Sequence, residues 1–305
     1  MVNGNIPGSG WSTDSIPLQS GKVVIITGAN SGVGLEAARM MVQKGAHVIM
    51  ACRNLEKSKA ALDSLNNTDD QGGAILMKLD LSDFSSVRSF SDWVRGNYPG
   101  VDILINNAGI MATPYCKTVD GFELQFGTNH LGHFLLTGLL LDLISPGEGS
   151  RVVTITSIAH FNGKINFGDI NSETGYNRMV AYRQSKLANL LFAYELQRRL
   201  ADSDSKTLSV AVHPGVSSTG IVKLNPFLEK LKDAVLMSPV KGAMPTMMGA
   251  TDLSLKGGEY IGPDGFRQSF GFPAILESSL LSHNAELASR LWKLSEELTG
   301  FSYKF

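Results

Sequence analysis

The strongest constraint on this chain is a unit near its N-terminus. A β-branched run at 23–27 passes straight into the glycine-rich turn Thr27-Gly28-Ala29-Asn30-Ser31-Gly32-Val33-Gly34, and apolar residues at helical spacing follow over 35–44. Consecutive apolar β-branched residues suit a strand buried on both faces, which is the habit of parallel sheets. The pattern then recurs. Residues 47–51 and 74–79 read as strands, with helical patterns at 55–65 and 85–98. Residues 103–106, 152–156 and 208–213 supply further strands, with long helical patterns at 122–143 and 180–202 between them. This alternation predicts a single-domain α/β fold, a doubly wound parallel sheet with helices on both faces. Right-handed crossovers then bring the loops after the strands to one edge, where ligands bind. Residues 257–273 are dense in Gly, Pro and aromatics and read as a last strand plus a loop, followed by a helical tail over 275–298. Residues 1–20 read as an extended arm, and 21–305 as one domain.

Composition excludes several classes. Lys+Arg 27 against Asp+Glu 28 gives no basic footprint for nucleic acid. The two cysteines, Cys52 and Cys116, are too few for a disulfide framework and lack zinc-site spacing, which points to a reducing, cytoplasmic compartment. The polar opening segment has neither the charge nor the apolar run of a signal peptide, and no stretch approaches the ~18 apolar residues of a spanning helix. No integral membrane segment is expected.

The glycine turn departs from G-x-G-x-x-G spacing, yet it lies where backbone N–H groups at a helix start can receive a pyrophosphate. Gly28, Asn30, Ser31, Gly32, Val33 and Gly34 are its candidate cofactor contacts. Dinucleotide sites that prefer NADH place an acid about 20 residues past the glycines. Here the second strand ends Ala51-Cys52-Arg53-Asn54, so Arg53, with Lys57 near it, suits a 2′-phosphate and favours NADPH over NADH; the plainer alternative is a solvated charge. Asp80, followed by Leu81, can accept from an adenine amino group or serve as a helix cap. Asn107, Ala108 and Gly109, after the fourth strand, can border the nucleoside or simply form a turn.

Tyr182 and Lys186 stand at i, i+4 on a helical pattern. A phenol titrates near ~10, and an adjacent ammonium would ease its proton exchange, so Tyr182 reads as a general acid/base; by itself the pair could equally be a surface pair. Lys186 can also bond the nicotinamide ribose. Ser157, ending a strand at the same edge, can donate to the reacting oxygen. Asn129, a mediocre helix former inside a helical pattern, marks a local break where a water could relay protons to Lys186. His130, His133, His160 and His213 lack partners at metal or triad spacing and read as structural.

Thr27–Gly34, Asn106-Asn107-Ala108-Gly109, Ser157, Tyr182-x-x-x-Lys186 and Pro214-Gly215-Val216-Ser217-Ser218-Thr219 occur in the order of the short-chain dehydrogenase/reductase family, which the chain resembles from about residue 21 onward. The resemblance implies a seven-stranded Rossmann-like sheet, NAD(P) binding and a tetrad of Ser157, Tyr182, Lys186 and Asn129. Ala51-Cys52-Arg53-Asn54, the Thr-Asn-His-Leu-Gly-His run at 128–133 and Ser157-Ile158-Ala159-His160 look most like the retinol dehydrogenase and WW-domain oxidoreductase branch, typically NADPH-preferring. By the same likeness Pro214, Gly215, Val216 and Thr219 contact the nicotinamide end, and a substrate lid follows around 220–250. Phe227, Leu228, Leu231, Val235, Leu236, Met237, Met244, Met247 and Met248 would give that lid an adaptable apolar lining, or else cover the core. Residues 161–178 resemble an insertion of this branch. The polar N-terminus lacks the anchor common in retinol-handling members, which shifts expectation away from retinoids.

The expected function is an NADPH-dependent carbonyl reductase or alcohol dehydrogenase acting on an apolar ketone, aldehyde or alcohol. Two rivals use the same frame: an NADPH-binding redox sensor without turnover, which would have no need of the tetrad, and an enzyme that reduces C=C bonds or cleaves reductively. The long helices leave a homo-oligomer open.

Overall fold

The computed structural model describes residues 10–66, 72–144, 149–216 and 237–305. β1 (Val23–Thr27) pairs in parallel with β2 (His47–Cys52) on one side and with β4 (Ile103–Asn106) on the other. β3 (Gly73–Lys78) flanks β2, while β5 (Arg151–Ile155), β6 (Leu208–Val212) and β7 (Tyr260–Pro263) continue beyond β4, all parallel. β8 (Pro273–Leu276) closes the far edge antiparallel to β7, giving the order β3-β2-β1-β4-β5-β6-β7-β8. Strand order reverses between β1 and β4, so a crevice opens at the C-terminal ends of these two strands.

Among the described residues the sheet has eight strands, where the family resemblance implied about seven. Asp264 N–H donates to Phe272 O at 2.9 Å and Gly265 N–H to Phe270 O at 2.7 Å, folding the chain back on itself. The residues at 275–276, expected to open the terminal helix, are thereby drawn into the edge strand. That helix begins instead at Ala285, where Asn284 Oδ1 caps Leu287 N–H at 2.8 Å.

Alternate residues of each strand face opposite layers. Val24 and Ile26 pack beneath α1 (Gly32–Gln43), α2 (Leu55–Asn66) and the helix Pro239–Thr251, here α7. Ile25 and Leu104 pack beneath α3 (Phe84–Asn97), α5 (Gly132–Leu140), α6 (Arg178–Asp202) and α8 (Ala285–Thr299). Trp292 of α8 is almost fully buried, its ring edge-on to Phe134 at 5.0 Å and stacked on Phe192 at 5.8 Å. Burying one such side chain contributes about 1.5–3 kcal/mol, which fixes the C-terminal helix to the layer that carries the site. At the other end of the chain, Trp11 packs against the core, Ile16 is buried, and Gln19 N–H donates to Lys44 O at 2.7 Å.

The pattern over 122–143 is not one helix. α4 (Leu124–Phe126) runs into a π-helical segment, Gly127–Leu131, before α5 resumes the regular ladder. Gly132 N–H reaches back to Gly127 O, and the widened turn carries Asn129. α5 also lies close on the loop after β3: a Cβ at Gly132 would stand 2.4 Å from Leu81 O. Gly132→Ala is therefore expected to lower stability by about 1–3 kcal/mol, because backbone rather than a movable side chain blocks the methyl. A urea unfolding curve checks it; an unchanged midpoint would mean that α5 can shift without loss.

Candidate active site

The loops after β1 to β6 border one cleft of about 720 Å³. Gly28 has φ +65 and approaches Ala108, so that a Cβ would stand 3.0 Å from Ala108 Cβ. At Gly34 a Cβ would meet Asn107 Nδ2 at 2.4 Å, so glycine is required for α1 to close on the loop after β4. Asn107 Nδ2 donates to Thr27 O at 2.7 Å, clamping the glycine turn from the opposite strand. Ser31 occupies the N-cap of α1 without capping it through its side chain, and Ser31, Gly32 and Val33 line the cleft, as do Gly28 and Asn30. A helix start with no side-chain cap, lying against an open cleft, has the donor set that a pyrophosphate needs.

Arg53 lines the cleft, is solvent-exposed and has no ion-pair partner among the described residues. Lys57, expected beside it, stands in the first turn of α2 and does not line the cleft. Asp80 does not cap α3; Asp83 does, accepting from Ser85 and Ser86 N–H. Asp80 Oδ1 instead receives Ser82 N–H at 3.0 Å and Ser82 O–H at 2.6 Å, which fixes the carboxylate beside Leu81 in the cleft wall. Ala108 and Gly109 line the cleft with Asn107, and a Cβ at Gly109 would lie 3.4 Å from both Asn129 Oδ1 and Lys186 Nζ. After β6, Pro214, Gly215 and Val216 complete the wall, with Gly215 at φ +68. Its N–H donates to His213 Nδ1 at 3.2 Å. This wall of glycine amides, a fixed carboxylate and a guanidinium without an ion-pair partner among the described residues fits a dinucleotide.

Ser157 leaves β5 as the N-cap of a short 3-10 turn, Ile158–Asn162, and its Oγ receives Ala159 N–H at 3.2 Å. Its carbonyl accepts from His160 Nδ1 at 2.7 Å, so His160 Nε2 is the ring's acceptor and takes Ser279 N–H at 3.1 Å. α6 starts under an Asn177 cap and presents Tyr182 and Lys186 one turn apart to the cleft. Lys186 is almost wholly buried, and its Nζ donates to Ile155 O at 3.2 Å. Desolvation pulls its ammonium down to about 8. Tyr182 behaves differently from the expectation that Lys186 would favour its phenolate. Burial pushes the phenol up from its ordinary value, opposed by a hydrogen bond with Ser157, while Lys186 Nζ stands 5.9 Å from the ring centroid.

Asn129 lies behind this lining. Its Nδ2 donates to Ile110 O and to Ser185 Oγ, both at 2.9 Å, and its Oδ1 receives Ile110 N–H at 2.9 Å. Its backbone carbonyl, in the π segment, accepts from His133 Nδ1 at 3.0 Å. His133 Nε2 is then an acceptor and takes the Thr27 hydroxyl proton at 2.9 Å. Thr27 Oγ1 in turn receives the N–H groups of Asn107 and Ala108, both at 2.9 Å. Burial holds His133 down at about 4 and His130 and His213 at about 3, so all three are neutral near neutral pH. Sequence reasoning missed this relay through Thr27 and His133; the only hint was the i, i+4 spacing of Asn129 and His133.

Thr219 and the lid positions Phe227, Leu228, Leu231, Val235 and Leu236 lie outside the described residues. Met247 and Met248 belong to the core under α7, with Met244 packed against it, and none of the three lines the cleft. They face the sheet because α7 crosses over β5 and β6, as Gly249 in contact with Val210, Val212 and Val153 requires. Among the described residues no cluster of His, Cys, Asp or Glu could hold a metal, and no helix is long and apolar enough to cross a membrane.

Known proteins resemble this chain over most of its length. The short chain dehydrogenase family profile matches residues 22–226. Human retinol dehydrogenase 11 is 39% identical over 295 residues, covering 96% of this chain and 90% of the relative. Mouse retinol dehydrogenase 12 is 40% identical, covering 93% and 88%. The crystal structure of an uncharacterised protein from Mycobacterium paratuberculosis is 41% identical with a TM-score of 0.83, covering 97% of this chain and 99% of that one. RhlG from Pseudomonas aeruginosa, solved as an NADP active-site complex, is 22% identical with a TM-score of 0.65, covers 82% and 98%, and bears on the fold alone.

The buried ammonium gives a pH signature. Lys186 has a lower pKa folded than unfolded, so the unfolded chain binds more protons between about 8 and the ordinary lysine value. Wild-type stability should therefore gain on that of Lys186→Met as pH rises through this window, by the linkage of proton binding to folding. Paired urea unfolding curves from pH 7 to 10 test it; a constant difference would show Lys186 to be solvated.

Proposed function

The chain belongs to the short-chain dehydrogenase family, as an NAD(P)-dependent oxidoreductase of CH–OH and C=O groups on a retinol dehydrogenase-like scaffold, and from that premise we propose an NADPH-dependent carbonyl reductase and alcohol dehydrogenase for apolar ketones, aldehydes and alcohols. The observation that carries this reading is the convergence of Ser157, Tyr182 and Lys186 on the same cleft as the glycine turn and Arg53. Gly28, Asn30, Ser31, Gly32 and Val33 would hold the pyrophosphate, with Gly34 letting α1 close on Asn107 behind them, Arg53 the 2′-phosphate, Asp80 and Leu81 the adenine, and Asn107, Ala108 and Gly109 the nucleoside. Pro214, Gly215, Val216 and Thr219 would meet the nicotinamide end. When bound, the nicotinamide supplies or takes the hydride.

The chain's own groups handle the proton. Tyr182 O–H, kept protonated by burial, gives its proton to the oxygen of the substrate carbonyl in reduction and takes it back in oxidation. Ser157, which borders the cleft with that phenol, would share the developing negative charge on the same oxygen. Lys186 would grip the ribose hydroxyls and, with its ammonium drawn down to about 8, could replace the proton that Tyr182 gives up. Asn129 holds Ile110 and Ser185 around the lysine, and a water relaying protons to Lys186 would have to lie beside it.

Apolar substrates are supported by the lining: Ile110, Met111, Ile155, Ile158 and Val216 border the cleft near Tyr182. The relatives named retinol dehydrogenase bring long polyene alcohols and aldehydes into this class. The unpaired thiols of Cys52 and Cys116 support a cytoplasmic enzyme, and residues 21–305 act as one catalytic domain.

Fluorescence titration with NADPH and NADH, with turnover measured on a panel of apolar aldehydes and ketones that includes retinal, tests the whole reading. Arg53→Ala should weaken NADPH about 10–100-fold, the worth of a charge-assisted bond, and leave NADH unchanged. Tyr182→Phe should lower kcat by about 10²–10⁴ with nucleotide affinity retained. Tight NADPH binding without turnover on any member would instead favour a sensor.

A further inference from the structure

Residues 161–178, which separate Ser157 from α6, are fastened to the active-site elements at three points. Gln184, buried between Tyr182 and Lys186 in the sequence, accepts from Asn166 N–H and donates to Ile170 O, both at 2.9 Å. Phe167 lies under the Arg290 guanidinium of α8, 3.9 Å from ring centroid to carbon. At the far end Tyr176 reaches the loop after β4. Its hydroxyl receives Gln125 Nε2–H at 2.8 Å and has a single proton to share between Thr113 O at 2.9 Å and Glu123 Oε1 at 3.1 Å. Gln125 Nε2 also donates to Arg178 O at 3.0 Å, which orients the amide so that its Oε1 receives Ala112 N–H at 2.7 Å. Gln125 and Glu123 are fully buried, so at their ends these bonds are shielded from solvent.

What they hold is strained. Ala112 has φ +53, a left-handed conformation that a residue with a Cβ keeps only when its surroundings dictate it. The residues just before it, Ile110 and Met111, line the cleft beside Tyr182 and Ser157. We propose that Tyr176 is a positioning residue that sets the substrate wall. Through Gln125 and the Thr113 carbonyl it locks the 110–113 loop in its left-handed turn, and so fixes where Met111 stands against the substrate. A loop released from this brace admits the substrate in several poses, which weakens productive binding more than the chemical step. The surface ion pair Lys117–Glu173 joins the same two segments at 2.6 Å, but both side chains are about half exposed, and such a pair constrains little. The loop's dependence on Tyr176 rests on these contacts alone; its effect on substrate rests on the reductase reading.

Tyr176→Phe keeps the ring that packs against Tyr115 at 5.1 Å and removes only the hydroxyl. Hydrogen exchange of peptides spanning 110–113 and steady-state kinetics at saturating NADPH, on the full chain, are compared with wild type and with Glu173→Gln. Tyr176→Phe should accelerate exchange at Ala112 and raise KM about five-fold, the ratio one net hydrogen bond supports. Its kcat should stay within about two-fold, with NADPH affinity unchanged. Glu173→Gln should alter neither. Unchanged exchange in Tyr176→Phe overturns the brace. Faster exchange with an unchanged KM overturns its role in substrate binding, and an equal shift in Glu173→Gln overturns the assignment to Tyr176. A wild-type protein that turns over no substrate sinks the reductase reading, while the exchange data still decide whether Tyr176 holds the loop.

Discussion

The Thr27 hydroxyl occupies the place where the two halves of the sheet part. Beyond the last residues of β1 and β4 the ladder has ended, and the N–H groups of Asn107, shared with the Ile105 carbonyl, and of Ala108 turn inward, where an unpaired donor would be costly. One side-chain oxygen receives both, and its own proton goes on to His133. That imidazole can act only as a neutral acceptor there, because its other nitrogen is committed to the Asn129 carbonyl. The cofactor turn, the loop after β4 and the π segment are thereby tied together by a single oriented series of hydrogen bonds. The direction of each bond is forced by the one before it, so the arrangement has few alternatives.

The same layer explains how an ammonium can sit in the interior. His133, the histidine close enough to feel the Lys186 charge, is kept neutral by burial, so it adds no full positive charge beside it. Its only protein acceptor among the described residues is the Ile155 carbonyl, and no carboxylate pairs with it. A lysine held this way has its proton loosened by desolvation alone. A carboxylate partner would have tightened the proton instead, and would have competed for the ribose hydroxyls assigned to the same nitrogen.

Much of this was legible in the sequence because it is local. β-branched runs and helical spacing located β1 to β6 to within about a residue or two, and the glycine turn lies at the strand end that the pattern implied. The residues read as a tetrad also meet: Ser157, Tyr182 and Lys186 in the cleft wall, Asn129 directly behind it. What escaped depends on partners far along the chain. Ile275 and Leu276 look like the start of a helix until the turn at Asp264 pairs Pro273–Leu276 with β7. The methionines at 244, 247 and 248 read equally well as pocket or core, and only the crossing of α7 over the sheet decides for the core. The π turn was suggested by a poor helix former, Asn129, but its reason, a carbonyl owed to His133, is a tertiary fact.

The bonds that assemble the site span long stretches of sequence. Thr27 reaches Asn107 across 80 residues and His133 across 106, and Asn129 reaches Ser185 across 56. No contiguous fragment of the chain holds a working part of the cleft, so the site forms only when nearly the whole sheet has closed, late on a folding path already slowed by non-local pairing. A ligand that recognises the finished cleft then has no partly folded species to bind. Its full binding energy acts on the native state alone, and the cell's nucleotide pool becomes, for this protein, a reservoir of conformational stability.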